Sequence, residues 1–157
     1  MVSAVIFDMD GVLVDNSQVH DETWRIVCEK YGKKESINQI KNIFGGTNEI
    51  FVERLLGITD KQLARQIAKE KEALYREVFS KTIKAPDGLI PLLFSLRKKN
   101  IRLAVGTSGP KENLDFVLDS LEIRGFFDVL VDESKVNKGK PDPEIYLKVA
   151  QELKISP

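Results

Sequence analysis

The sequence predicts an α/β fold, an open parallel sheet with helices packed on it and a purely helical block inserted after the first strand. Three observations carry this. A strand-like run, "SAVIFDM" (3–9), opens the chain; no strand-like run follows until after Ala85; and beyond that point strand-like and helix-like segments alternate to the end. Strand, helix, strand, helix in one sheet requires parallel pairing through right-handed crossovers.

Each element has its own signature. "SAVIFDM" is β-branched and aromatic and ends in Asp-Gly, the pattern of a short strand buried on both faces. Residues 17–31 read as a helix, with Ser17 as candidate cap, an apolar stripe of Val19, Trp24, Ile26, Val27 and Tyr31, and Gly32 as its stop. "DKQLARQIAKEKEALYREVFSK" (60–81) is the longest helical pattern and is capped by Asp60. "APDGL" (85–89) breaks the helical block. A helix to about Lys99 then precedes the strand "IRLAVGT" (101–107), a helix from Pro110 to Leu121, the strand "FFDVLVD" (126–132) and a helix from Pro143 to Leu153. The expected division is an α/β core of residues 1–15 and 86–157, with residues 16–85 as the helical insertion.

Composition narrows the function classes. At 157 residues, 42% hydrophobic and 31% charged, the chain can bury a core, which argues against disorder. Its 24 basic and 24 acidic side chains leave no surplus positive charge to hold a polyanion, so nucleic acid is not an expected partner. The apolar N-terminal run is interrupted by Asp8 and Asp10, and eighteen apolar residues never run together. Neither a signal peptide nor a membrane partner is expected. Cys28 is the only cysteine, so no internal disulfide can form, and a cytoplasmic location is expected.

The chemistry is concentrated in "VIFDMDGVLV" (5–14). In an open parallel sheet, ligands bind beyond the carboxyl ends of the strands, where Asp8 and Asp10 fall. Residues two apart share a side, so both carboxylates serve one point. One can stay ionised beside a divalent cation and attack while the other carries a proton for the leaving group. Gly11 lets the backbone turn where a side chain would intrude on a phosphate. Alone, an Asp-x-Asp-Gly after a strand is more often a plain turn.

"FDMDGVLVDN" resembles the first motif of the haloacid dehalogenase-like hydrolases, and two further segments extend the resemblance over the whole chain. "LAVGTSG" is similar to the second motif, with Thr107 as the hydroxyl residue and Ser108 as its adjacent alternative. "KGKPDPEIYLKVA" is similar to the third, with Lys140 singled out from Lys135 and Lys138 because it directly precedes "PDP". The resemblance implies a Rossmann-like core with an α-helical cap, of the β-phosphoglucomutase and phosphoglycolate phosphatase branch. It also implies a Mg²⁺-dependent phosphatase acting on a small phosphorylated metabolite. Asp8 would attack phosphorus to give an aspartyl phosphate, and Asp10 would serve as acid and then base. Thr107 would donate to a phosphoryl oxygen, and Lys140 would supply fixed charge. Mg²⁺ would be held by Asp8 and by the Asp10 carbonyl, with the amides after the nucleophile receiving phosphate.

The resemblance also assigns roles in the cap. His20 would serve the hinge and proton handling, against the plain alternative of a half-exposed helix histidine. "FGGTNEIF" (44–51) resembles the cap's specificity loop, so Gly46, Thr47 and Asn48 are candidate substrate contacts. Glu49 stands where a mutase loop commonly offers arginine for a distal phosphate, which favours phosphatase over a β-phosphoglucomutase-like activity. Trp24, Phe44 and Phe51 read as cap core.

One family element is not found. The fourth motif, an acid that completes the Mg²⁺ site, lies on a strand beyond the last helix, whereas this sequence stops at "LKISP", whose Ser156 and Pro157 read as the start of another helix. The expectation is a fragment. Asp132 and Glu133 are poor substitutes, since in the family's sheet their strand lies roughly 10 Å from the first at about 4.8 Å per strand, while magnesium needs bonds near 2.1 Å. A catalytically incomplete fold that binds phosphate or a partner is the alternative. Its exposed first-strand edge would invite dimerisation.

Overall fold

A computed structural model describes residues 2–34, 37–41 and 47–156. In chain order the elements are β1 (Ala4–Phe7), α1 (Ser17–Lys30), α2 (Ile37–Lys41), α3 (Asn48–Leu56), α4 (Lys61–Phe79), α5 (Leu89–Lys98), β2 (Arg102–Gly106), α6 (Lys111–Ser120), β3 (Val129–Val131) and α7 (Glu144–Leu153). The chain divides into two compact units, Met1–Asp15 with Ile83–Pro157 and Asn16–Thr82.

The first unit is built on a parallel sheet in the order β1-β2-β3. Register places Phe7 beside Val105 and Gly106 beside Val131, so the three strands end at one edge of the sheet. β2 is central, and its residues Leu103, Ala104 and Val105 are fully buried. The apolar face of α7, Ile145, Val149 and Leu153, covers Ala104 and Val131. Gly106 is where this packing is tightest: a Cβ there would lie 3.4 Å from Val149 and 3.6 Å from Ile6.

β1 differs from the doubly buried strand expected of it. Ala4, Val5 and Ile6 are only half-buried and Phe7 alone is buried. The reason is position: among the described residues β1 pairs on one side only, so its backbone and side chains meet neighbours from β2 and not from a second strand.

The second unit is all helical. Its core is Trp24, Val27 and Cys28 of α1, Ile40 of α2, Val52, Leu55 and Leu56 of α3, and Ala64 and Ile67 of α4. Trp24 stacks on Phe51 with ring centroids 5.2 Å apart, and Cys28 is buried without a disulfide. Phe44 lies outside the described residues. α4 starts as expected, the Asp60 carboxylate accepting the Leu63 N–H at 2.7 Å. α1 does not: its cap is Asn16, not Ser17, which is already helical. Asn16 makes no side-chain capping bond; its amide donates to the Tyr75 hydroxyl at 2.7 Å. No helix among the described residues is long and apolar enough to cross a membrane.

Candidate active site

The site is assembled where β1 and β2 end. After Phe7 the chain folds into a tight loop in which the Met9 carbonyl accepts the Leu13 N–H at 2.8 Å and Gly11 donates to the Val14 carbonyl at 2.8 Å. Met9, Leu13 and Val14 are fully buried and anchor it, while Gly11 turns the backbone through φ +73°, a left-handed value that a side chain would strain. The alternation buries Met9 and leaves Asp8 half-exposed and Asp10 exposed. Asp8 is held at both oxygens: Oδ1 accepts the Met9 N–H at 2.7 Å and Oδ2 pairs with Lys140 Nζ at 2.8 Å.

Lys140 arrives from a long connection between β3 and α7. Its ammonium also donates to the Gly106 carbonyl at the end of β2, at 3.1 Å. Glu144, the first residue of α7, fixes the approach by accepting the backbone N–H groups of Asn137 at 2.9 Å and Lys138 at 2.8 Å. The Asn137 N–H, followed by that of Lys138, holds the Glu144 carboxyl below the usual glutamate range. The other two lysines of the segment are engaged elsewhere. Lys135 donates to the Leu130 carbonyl, and Lys138 lies 3.6 Å from Asp142.

Thr107 and Ser108 separate sharply. Thr107 is fully buried, its N–H donates to the Val131 carbonyl at 3.0 Å, and its hydroxyl accepts the Gly109 N–H at 3.0 Å. Ser108 is exposed. Gly109, which sequence reasoning passed over, brings this loop against the first. A Cβ there would sit 3.2 Å from Met9 Cε, 3.4 Å from Thr107 Oγ1 and 3.8 Å from Asp10 Oδ2. Its signal in the sequence was only "TSGP", an ordinary turn pattern. Asp132 is buried and satisfied by the N–H and hydroxyl of Ser134, at 2.9 and 2.6 Å, and the Glu133 N–H donates to the Gly109 carbonyl at 3.3 Å.

A sequence model of the haloacid dehalogenase-like hydrolases matches residues 2–157. The chain belongs to the haloacid dehalogenase-like hydrolases. It is 35% identical over 157 residues to a phosphorylated carbohydrates phosphatase of Thermotoga maritima, covering 99% of this chain and 73% of that protein. It is 30% identical over 166 residues to the beta-phosphoglucomutase of Bacillus subtilis, covering 99% and 72%. Among solved structures, a family IA, variant 3 haloacid dehalogenase-like hydrolase from Entamoeba histolytica superposes with a TM-score of 0.90 at 33% identity, over 99% of this chain and 72% of that one.

The helical unit of this family member carries its own polar cluster. Lys71 is 1% exposed, with Nζ 2.7 Å from His20 Nδ1 and 2.9 Å from Glu72 Oε1. The His20 ring lies flat on Tyr75 with centroids 4.3 Å apart. A lysine ammonium only donates, so His20 accepts at Nδ1. His20 is thus a half-buried helix histidine engaged with its own unit.

The expected specificity loop, residues 44–51, is described only from Thr47 onward. Gly46 lies outside the described residues, Thr47 is the exposed residue preceding α3, and Asn48 already belongs to that helix. The Asn48 amide donates to Glu72 Oε1 at 2.8 Å. Of the expected loop, the part from Asn48 to Phe51 is helix, and Thr47 in extended conformation is its cap. Glu49 lines a groove of about 290 Å³ together with Glu53, Lys61 and Arg65.

Proposed function

We propose that the chain is a phosphomonoester hydrolase acting on a small phosphorylated metabolite, with Asp8 as nucleophile. The observation that carries this reading is the pair Asp8 Oδ2 and Lys140 Nζ, 2.8 Å apart at the carboxyl edge of a parallel sheet. The neighbouring ammonium gives a phosphoryl group fixed positive charge to approach beside the carboxylate that would attack it. The family and a carbohydrate phosphatase among its relatives support the same reading.

In this reaction an Asp8 oxygen forms a bond to phosphorus as the ester P–O bond breaks, and Asp10 delivers its proton to the departing alkoxide. Asp10 then takes a proton from water as the water oxygen attacks phosphorus. The bond from phosphorus to Asp8 breaks, and inorganic phosphate leaves. Thr107 or Ser108 donates to a phosphoryl oxygen, and Lys140 offsets charge on the phosphoryl group throughout.

The donor set suits magnesium. Asp8 and Asp10 offer hard carboxylate oxygens, and the ion is ordinarily held by one or two carboxylates with water and substrate phosphate. Among the described residues no group of three or more His, Cys, Asp or Glu is placed to hold a metal ion, so Asp8 and Asp10 would share the ion with water and phosphate. When bound, the ion supplies charge that screens phosphate from the two carboxylates. The helical unit acts as a cap that selects substrate, with His20, Gly46, Thr47 and Asn48 as its candidate contacts. A cytoplasmic setting suits the buried Cys28, and pairing of two chains along β1 is a further expectation, since among the described residues β1 is hydrogen-bonded on one side.

A phosphosugar mutase is the second reading, favoured by the 30% identity to a beta-phosphoglucomutase. The deciding experiment follows inorganic phosphate from p-nitrophenyl phosphate and a sugar phosphate panel, with Mg²⁺ or EDTA, for this chain and Asp8→Asn. Metal-dependent phosphate release abolished in Asp8→Asn supports the hydrolase. Conversion of β-glucose 1-phosphate to glucose 6-phosphate without phosphate release selects the mutase. A folded chain that does neither is the catalytically incomplete form.

A further inference from the structure

Lys140 carries its charge on a flexible four-carbon stem, and a salt bridge alone fixes such a stem poorly. Its ammonium has three neighbours: Asp8 Oδ2 at 2.8 Å, the Gly106 carbonyl at 3.1 Å, and the ring of Tyr146, whose centroid is 5.1 Å away. The first two occupy two of its three N–H donors. The third neighbour lies within the roughly 6 Å over which an aromatic face attracts a cation. We propose that Tyr146 is a positioning residue, holding the Lys140 ammonium at the sheet edge through its aromatic ring.

Two observations single out the ring. Tyr146 is 40% exposed, so core packing does not account for an aromatic residue here; the neighbouring Ile145, 2% exposed, does the packing for this turn of α7. The Tyr146 N–H donates to the Pro143 carbonyl at 3.0 Å, which fixes its backbone on the connection that carries Lys140. The ring also offers constancy, an argument that rests on the phosphoryl-transfer reading above. Asp8 changes charge and shape when it takes a phosphoryl group, whereas Tyr146 and the Gly106 carbonyl do not. These two partners keep the ammonium in place while its ion pair is altered.

The test uses the full chain with Tyr146→Leu and Tyr146→Phe. The first readout is the Lys140 ε-methylene resonance in ¹³C–¹H spectra, assigned by its disappearance in Lys140→Arg. A ring-shifted signal is expected in the parent and Tyr146→Phe, returning to the position of a solvated lysine in Tyr146→Leu. The second is turnover of p-nitrophenyl phosphate with Mg²⁺. We expect kcat to fall roughly three- to tenfold in Tyr146→Leu and to be restored in Tyr146→Phe. An unchanged Lys140 signal in Tyr146→Leu, or an equal loss of kcat in both variants, overturns the proposal. If the parent turns over no phosphate ester, the hydrolase reading fails and the Lys140 resonance alone decides the role of Tyr146.

Discussion

Asp8 and Lys140 meet at 2.8 Å although they come from opposite ends of the chain, one following β1 and the other preceding α7. The contact exists because parallel strands end at one edge and because Glu144 clamps the connection that carries the lysine. Lys140→Met removes the charge and keeps most of the stem's volume. The expected outcome is a fall in kcat of about a hundredfold or more, with an unchanged circular dichroism spectrum. Retained turnover would assign the charge-compensating role to another cation.

Glu144 supports that geometry without touching the reacting atoms. Glu144→Gln replaces one carboxylate oxygen with an N–H donor facing a backbone N–H. The amide protons of Asn137 and Lys138 should then exchange roughly tenfold faster, the effect of one lost hydrogen bond. Protection equal to the parent at both amides would show that the segment is held by other contacts.

Gly109 is expected to reject any side chain. In Gly109→Ala the new Cβ meets Met9 Cε at 3.2 Å and Thr107 Oγ1 at 3.4 Å, and Met9 is fully buried with little room to retreat. A loss of about 1 kcal/mol in urea unfolding is expected, together with lower turnover as the loop moves away from Asp10. Gly125→Ala is the control, since nothing lies within 4 Å of its Cβ position.

Asp128 gives the α/β unit part of its acid sensitivity. Partial burial pushes its carboxyl up, but the Leu103 N–H at 2.9 Å and the Arg97 guanidinium at 2.7 Å outweigh burial and hold it below the ordinary aspartate value. A carboxyl with a folded pKa below its unfolded value of about 3.9 stabilises the fold above that pH. The contribution is lost as pH falls through the folded value. Thermal melts from pH 6 to pH 2.5 should show a shallower acid loss for Asp128→Asn than for the parent. Parallel curves would remove Asp128 from the acid response.

Lys71 is the buried cation of the helical unit, lying between His20, Glu72 and the rings of Trp24 and Tyr75. Lys71→Met should cost about 3 kcal/mol because it removes the buried ammonium that Glu72 and His20 both contact. Glu72→Gln, which keeps an oxygen for Asn48, should cost about 1 kcal/mol. Fluorescence of Trp24, the sole tryptophan, reports unfolding of this unit in urea. A change under 0.5 kcal/mol in Lys71→Met would mean that the cluster is hydrated.

Local chemistry in the sequence determined the family, the parallel α/β architecture and the elements with strong signals. Apolar periodicity, Asp-Gly after an apolar strand and Asp60 at the start of α4 act within a few residues, so they can be read without a fold. Tertiary structure decided what depends on distant neighbours. Asn16 displaced Ser17 as the cap while its amide was drawn to Tyr75, 59 residues on. β1 took the half-burial of a strand paired on one side. Thr107 was buried and Ser108 exposed by the pairing of β2 with β3, although both carry the same hydroxyl. Gly109 and Tyr146 had no legible signal, because a close approach between loops and a ring over an ammonium exist only once packing has placed both partners. The sequence supplies the reactive groups; the distances that bring them together are set by packing between segments far apart along the chain.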